Sequence, residues 1–267
     1  MIEVNRNKCI KCGACASDCI VKIIKRSTGD FPYVPEQLDR FCINCQHCLA
    51  VCPAGAITCN GVTAEQCSPI GSIPSPDDML NLIRQRRSIR RYKQENLPPE
   101  IIAKLRDSLN WSATGCNDDS LLFRIIDNKE DMTFFRETAN KMLCRLIKSK
   151  LLQLLYPNAK RFLFDIVNGE DVIFRNAPHM IVCAVRKNAP CKEADPWIAL
   201  SNFDLYAQTF GVGTCWCGFA YYVFKFSRKL RKHLNFPKNY KITSIILFGK
   251  PAVKYQRATF FDSQKSR

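Results

Sequence analysis

The sequence predicts an α+β protein in two unequal domains, residues 1–60 and 76–267, joined by a linker over 61–75. Three observations predict it. Eight of the sixteen cysteines lie between positions 9 and 52 on one repeating pattern. From Cys59 the stretch CNGVTAEQCSPIGSIPSPDD is rich in Gly, Pro and Ser, which marks a crossing between domains. Beyond it, apolar stretches near 121–126, 179–185 and 242–249 read as strands of a mixed central sheet, with helical patterns between them. With 267 residues, 46% hydrophobic and 24% charged, the chain can bury a sizeable core, which excludes wholesale disorder.

In the small domain Cys9, Cys12, Cys15 and Cys19 form C-x2-C-x2-C-x3-C, and Cys42, Cys45, Cys48 and Cys52 repeat it with a displacement of 33 residues. Ile10 matches Ile43 and Ile24 matches Ile57 at the same offset, so the domain reads as two copies of one loop-and-turn unit. The N-terminus, MIEVNRNKCIKC, has no apolar run that would serve as a secretory signal, so the expected location is the cytoplasm. Thiols there stay reduced, which argues against a disulfide framework and for metal or redox use. The irons of a cubane cluster need thiolates at the corners of a tetrahedron. Three cysteines at two-residue intervals wrap three corners from one tight loop, and the fourth must come from elsewhere. Structural zinc is the alternative, but it usually takes cysteine pairs separated by a longer spacer. His47 lies inside the second motif and is expected to shape the shell, as are Ile10, Ile23, Ile43, Val51 and Ile57.

This stretch resembles the two-cluster bacterial ferredoxins, with Pro53 after Cys52 as in their pattern and Ile20 standing where the first motif would carry its proline. The resemblance implies two 4Fe-4S clusters with crossed ligation: Cys9, Cys12, Cys15 and Cys52 for one, Cys42, Cys45, Cys48 and Cys19 for the other.

The large domain opens with Ser75-Pro76-Asp77-Asp78, an N-cap, a first-turn proline and two acids, followed by apolar Met79, Leu80, Leu82 and Ile83. A helix is expected to start there. It runs into Arg86-Arg87-Ser88-Ile89-Arg90-Arg91-Tyr92, where basic residues alternate with small or apolar ones over an extended stretch. Alternation sends Arg86, Ser88 and Arg90 to one side, where guanidinium forks and a hydroxyl suit a phosphate group; nucleic-acid contact is the competing use.

RRSIRRY resembles the cofactor-phosphate motif at the start of the FMN-dependent nitroreductase family, and three later segments agree in order. Thr114-Gly115-Cys116-Asn117 is similar to the loop whose asparagine bonds the flavin's pyrimidine edge. Gly211-Val212-Gly213-Thr214-Cys215-Trp216-Cys217-Gly218 is similar to the loop whose backbone covers the ring. Gly249-Lys250-Pro251 through Arg257 is similar to the terminal segment that returns basic residues to the phosphate. The segment Ile173 to His179 before an apolar strand also fits. With its cysteine-rich front the chain resembles the ferredoxin–nitroreductase fusions of anaerobic microbes.

The resemblance implies FMN held by Arg86, Arg87, Ser88, Lys254 and Arg257 at the phosphate, by Arg90 and Asn117 near the pyrimidine edge, and by Cys215, Trp216, Cys217 and Gly218 at the ring, the last two through backbone N–H groups. The family loop often continues with Gln-Pro-Trp, where this chain has Asp119-Ser120-Leu121. It further implies a homodimer that passes electrons through its clusters to FMN and reduces nitro compounds or quinones, with an external ferredoxin or NAD(P)H as donor and no side-chain acid–base pair at the reacting centre. Alternatives are an enoate or quinone reductase, or an electron-transfer or redox-sensing protein whose nitro reduction is incidental. No GxGxxG follows a strand, so a dedicated Rossmann domain is not expected.

Charge is uneven. Residues 1–72 hold seven basic and six acidic residues, a balance of +1, and the remainder holds 33 and 18, a balance of +15. The basic run Lys225, Arg228, Lys229, Arg231 and Lys232, with Phe224, Phe226 and Leu230 interleaved, is expected to be a solvated helix face rather than a nucleic-acid site. Lys141 to Leu155 reads as an amphipathic helix of the body or dimer interface. No membrane span is expected, because the longest uncharged stretch, Leu205 to Phe224, is broken by glycines and polar residues. His179 and His233 are expected to be structural.

Overall fold

The computed structural model describes residues 2–147, 165–166 and 168–260. The chain divides into two compact units, Met1–Ile73 with Cys116–Asp118, and Pro74–Gly115 with Asp119–Arg267.

In the first unit β1 (Ile2–Val4) pairs antiparallel with β2 (Ile57–Cys59), setting Ile2 opposite Cys59. Three short helices accompany the cysteine motifs: α1 (Ala14–Asp18) inside the first, α2 (Glu36–Asp39) between the two, and α3 (His47–Ala50) inside the second. The 33-residue displacement of the sequence repeat is carried into the backbone: α1 and α3 start at Ala14 and His47, and left-handed residues come in matched pairs, Lys11 with Asn44, Gly13 with Gln46, Lys22 with Gly55. Four of those six are not glycine, and a left-handed non-glycine residue costs on the order of 1 kcal/mol, which persists where the surroundings dictate the turn. Here the demand comes from three closely spaced cysteines that must face inward from one loop. Ile2, Ile23, Ile24, Leu49 and Ile57 form the core with Cys15, Cys19, Cys48 and Cys59. Of the expected apolar shell, Ile23 and Ile57 are buried, whereas Ile10 and Val51 are exposed. Both lie next to a motif cysteine, and the inward turn of that neighbour leaves them on the outside of the loop. The expected linker begins with a 3-10 turn, Ala64–Gln66, closed by a reciprocal capping box between Thr63 and Gln66.

The second unit is a four-stranded sheet in the order β3 (Leu121–Ile126), β4 (His179–Arg186), β6 (Tyr240–Gly249), β5 (Gly213–Trp216). All these pairings are antiparallel, and the one parallel element among the described bridges is Ser88 against Thr214. The expected mixed character thus lies in that bridge alone. β4 is central and apolar along nearly its whole length because both faces are covered. Met180 and Val182 with Ile245 and Leu247 face one core layer; Ile181, Cys183 and Val185 with Ile246 and Phe248 face the other.

On the first face pack Met132 and Phe135 of α6 (Lys129–Ile147), and Ala220, Val223 and Phe224 of α8 (Gly218–Phe226). Leu230 and Leu234 of α9 (Arg228–Leu234) complete that layer. On the other pack Ile102 and Leu105 of α5 (Pro99–Ser108) and Ala199, Leu200, Phe203 and Ala207 of α7 (Asp195–Thr209). The helix expected from Ser75 is α4 (Pro76–Gln85), with the Ser75 hydroxyl accepting from Asp78 N–H at 3.1 Å.

The basic run divides at Ser227, which caps α9 by accepting from Leu230 N–H at 3.3 Å; Phe224 and Leu230 turn inward and Phe226 outward. The helix expected from Lys141 corresponds to the end of α6 as far as Ile147, and its remainder lies outside the described residues. Among the described residues no helix is long and apolar enough to cross a membrane.

Candidate functional site

The first unit sets Cys9, Cys12 and Cys52 around Cys15, and Cys42 and Cys48 near Cys59. Burial pushes the Cys15 thiol up, and the neighbouring sulfurs of Cys52, Cys12 and Cys9 push it further. Those four are the set expected for one cluster, with Cys52 arriving from the other motif. Among the described residues no three Cys, His, Asp or Glu side chains stand closely enough to hold a single ion, so the thiols form a looser group.

Burial also pushes Cys48 up to about 12, with Cys59 and Cys42 as charged neighbours. Cys59 was missed by spacing: it lies on β2 rather than in a motif, is 1% exposed, and stands beside Cys42 and Cys48. Cys19 is buried in the same core, and His47 Nδ1 stands 3.3 Å from the Asp18 carboxylate.

In the second unit three of the four expected cofactor-binding segments converge. The stretch 86–92 lies along β5: Ile89 N–H donates to Thr214 C=O at 2.7 Å, and Ser88 bridges Thr214. Its far end meets the segment after β6, where Tyr92 bridges Pro251 and Lys93 N–H donates to Lys250 C=O at 2.8 Å. Ile89 and Tyr92 point into the core, and the Tyr92 hydroxyl donates to Ile89 C=O at 2.6 Å. Ile89 and Tyr92 are three residues apart, so the arm does not alternate strictly: Arg86 lies beside Asp204, whereas Arg90 lies beside Cys215.

Gly213 permits the close approach of the two strands, since a Cβ there would stand 2.6 Å from Ile89 Cγ1 and 2.9 Å from Pro251 Cγ. Arg87 Nη1 donates to Thr259 Oγ1 at 3.0 Å, and Arg87 lies over the Tyr255 ring, so the terminal segment returns against this arm. Lys254 and Arg257 on that segment are exposed.

Arg90 lines a cavity of about 440 Å³ together with Asp171, Arg175 and Asn176. Burial pushes the Cys215 thiol up, and the positive charges of Arg90 and Arg175 oppose it. The loop carrying Arg175 holds two successive left-handed residues, Arg175 and Asn176. Asp171 pins it by accepting from the N–H groups of Phe174 at 2.8 Å and Asn176 at 3.0 Å.

At the end of β5 the two expected ring N–H groups differ. Cys217 N–H is spent on Ile245 C=O at 2.9 Å, a continuation of sheet pairing that sequence similarity alone does not reveal. Gly218 opens α8, where a helix's first N–H groups have no partner within the helix. Trp216 stacks on Trp197 with ring centroids 5.3 Å apart.

The fourth segment is divided between the units. Gly115 N–H donates to both carboxylate oxygens of Asp195 at 3.1 Å, and a Cβ on Gly115 would stand 2.3 Å from Cys191 Sγ. Asn117 belongs to the first unit, where its amide donates to the carbonyls of Ile43 and Asn44 at 3.1 and 3.2 Å.

Two acids on α7 went unremarked in the sequence. Asp195 anchors Gly115, and Asp204, 4% exposed, joins Arg86, Thr214 and Trp216. Neither sits in a recognisable motif. The available signal was an acid placed among the apolar residues that α7 buries.

A unit built on paired cysteine motifs, joined in one chain to an α+β unit with a basic arm along a glycine-rich strand, defines a redox protein. Residues 83–250 match the model of the nitroreductase family, and the chain belongs to that family, as an oxidoreductase. Residues 8–57 match the model of the 4Fe-4S dicluster domain. Among solved structures the chain is similar to a nitroreductase with bound FMN from Desulfitobacterium hafniense, at 21% identity and TM-score 0.56 over 71% of this chain and 97% of that one. A BluB-like flavoprotein from Clostridium difficile is similar at 18% identity and TM-score 0.56, over 70% of this chain and 96% of that one. An iodotyrosine deiodinase from Thermotoga neapolitana is 22% identical over 176 residues, 65% of this chain and 88% of that protein. At these identities the solved structures establish the fold.

Proposed function

We propose that the chain takes electrons through two 4Fe-4S clusters to FMN and reduces nitro compounds or quinones. The observation that carries this reading is the convergence, in one unit, of the arm 86–92, strand β5 and the segment after β6 around a basic surface. FMN, once bound, supplies reversible one- and two-electron chemistry at its ring.

The protein's part is to bind and orient. Arg86, Arg87 and Ser88, with Lys254 and Arg257 from the terminal segment, hold the phosphate. Arg90 places positive charge at the pyrimidine edge, where it favours the reduced, anionic ring. Gly218 N–H faces the ring, beside Cys215 and Trp216. In the first unit Cys9, Cys12, Cys15 and Cys52 hold one cluster and Cys42, Cys45, Cys48 and Cys19 the other. Several family relatives are crystallised with FMN, which supports the cofactor, and we read the assembly as a homodimer in the cytoplasm. The donor is an external ferredoxin or NAD(P)H.

Iron, acid-labile sulfide and FMN per chain test the reading on anaerobically purified, reconstituted protein, with about eight, about eight and about one expected. Iron and sulfide without flavin would overturn the reading of the second unit. Arg86→Ala with Arg90→Ala is expected to release FMN and leave the iron content unchanged. Steady-state rates with quinones, nitroaromatics and enoates then rank the substrates.

A further inference from the structure

Asp204 is a buried acid that touches two separate parts of the proposed flavin site. Its Oδ1 accepts from the Thr214 hydroxyl in a short hydrogen bond, and its Oδ2 accepts from Trp216 Nε1 at 2.9 Å. Both donors are neutral. They come from alternate residues of β5, and they fix the plane of the carboxylate without offsetting its charge. Burying a carboxylate is costly unless a cation faces it. Arg86 supplies it, with Nη1 at 3.7 Å from Oδ2.

We infer that Asp204 is a positioning residue that holds Arg86 ready for the phosphate of the cofactor, and so sets the preference of the site for FMN over riboflavin. The inference rests on the reading of the arm 86–90 as the phosphate site.

The geometry gives the direction of the effect. The Asp204 side chain is 5% exposed and that of Arg86 is 35% exposed, so the guanidinium spans from the buried acid to the surface. Its planar fork carries five N–H donors. The ion pair at 3.7 Å from Asp204 restrains the guanidinium head without using up its N–H donors, which stay free for a phosphate. Without the acid, Arg86 is a long side chain with several rotamers, and phosphate binding must then bear the entropy of ordering it. The same acid reaches Thr214, whose carbonyl receives Ile89 N–H, so the arm is held to α7 through both a side chain and a strand.

Riboflavin lacks the phosphate and shares the ring and ribityl chain. The ratio of the two affinities therefore isolates the contribution of Arg86 from any general loosening around Trp216. The test is calorimetric titration of the full-length, cluster-loaded chain, freed of flavin, with FMN and with riboflavin. Wild type is expected to prefer FMN by more than about tenfold. Asp204→Asn is expected to lower that preference about tenfold, mainly through weaker FMN binding. In an Arg86→Ala background the same substitution is expected to leave the ratio unchanged, because the two residues act as one unit.

If Asp204→Asn weakens both flavins equally, Asp204 is only structural and the inference falls. A preference that rises would show that the acid competes with phosphate for Arg86, which also overturns it. Should the amide variant not fold, Asp204→Glu moves the charge by one methylene and is expected to lower the ratio about threefold, and an unchanged ratio refutes the inference. Absence of flavin binding by wild type would overturn the functional reading together with this inference. A normal wild-type preference that survives in Asp204→Asn would overturn this inference alone.

Discussion

His179 gives the second unit a defined acid sensitivity. It opens β4 in full burial, and its Nε2 accepts from Leu97 N–H at 3.0 Å. The neutral ring must therefore keep its proton on Nδ1. A second proton would place N–H against N–H in a buried site, and burial accordingly pushes the imidazole down from 6.5 to about 4. The unfolded chain binds this proton near pH 6.5 and the folded chain only near pH 4. The stabilising contribution is thus complete above about pH 6.5, is lost as the pH falls towards 4, and changes no further below. The separation between those values corresponds to about 3 kcal/mol.

His179→Gln keeps an acceptor for Leu97 N–H and removes the titration. Urea unfolding between pH 7 and 4, followed by tryptophan fluorescence, reads this unit selectively, because Trp111, Trp197 and Trp216 all lie within it. Comparison with wild type cancels the acid response of every other group. The stability advantage of wild type over the variant is expected to shrink by about 3 kcal/mol across that range. Parallel pH profiles, with the difference constant within about 0.5 kcal/mol, would refute the assignment of a neutral buried imidazole.

Other consequences are as direct. Gly213→Ala would drive a Cβ to 2.6 Å from Ile89 Cγ1, so a loss of about 1–3 kcal/mol in unfolding free energy and release of flavin are expected together, read by thermal denaturation and by flavin content. Cys52→Ser removes the thiol that arrives beside Cys15 from the other motif, and iron is expected to fall from about eight towards about four per chain, with the signal of one cluster retained in the reduced protein's electron paramagnetic resonance spectrum. Retention of all the iron would refute Cys52 as a cluster ligand. Asp195→Ala leaves Gly115 N–H without its acceptor and is expected to cost about 1–3 kcal/mol, measured by the same urea titration.

The sequence by itself determined the features whose partners lie close along the chain. The cysteine motifs, their 33-residue repeat and the Ser75 cap are short-range patterns, because a turn or a helix start places neighbours by fixed local geometry. The same holds for the strands near 121–126, 179–185 and 242–249, whose apolar runs reflect burial on the two faces of one sheet. Tertiary structure decided what crosses long stretches of chain. Asp195 meets Gly115 at a separation of 80 residues, and His179 meets Leu97 at 82. Asp204 joins Arg86 to β5, and Cys59 stands beside Cys42 and Cys48 without sharing their spacing. The hydrogen bond that occupies Cys217 N–H follows from pairing with Ile245, which depends on how β6 lies against β5. No local pattern encodes these partnerships, because they are set by which helix and strand faces pack together, and a buried acid or imidazole acquires its role only from the donors that packing brings to it.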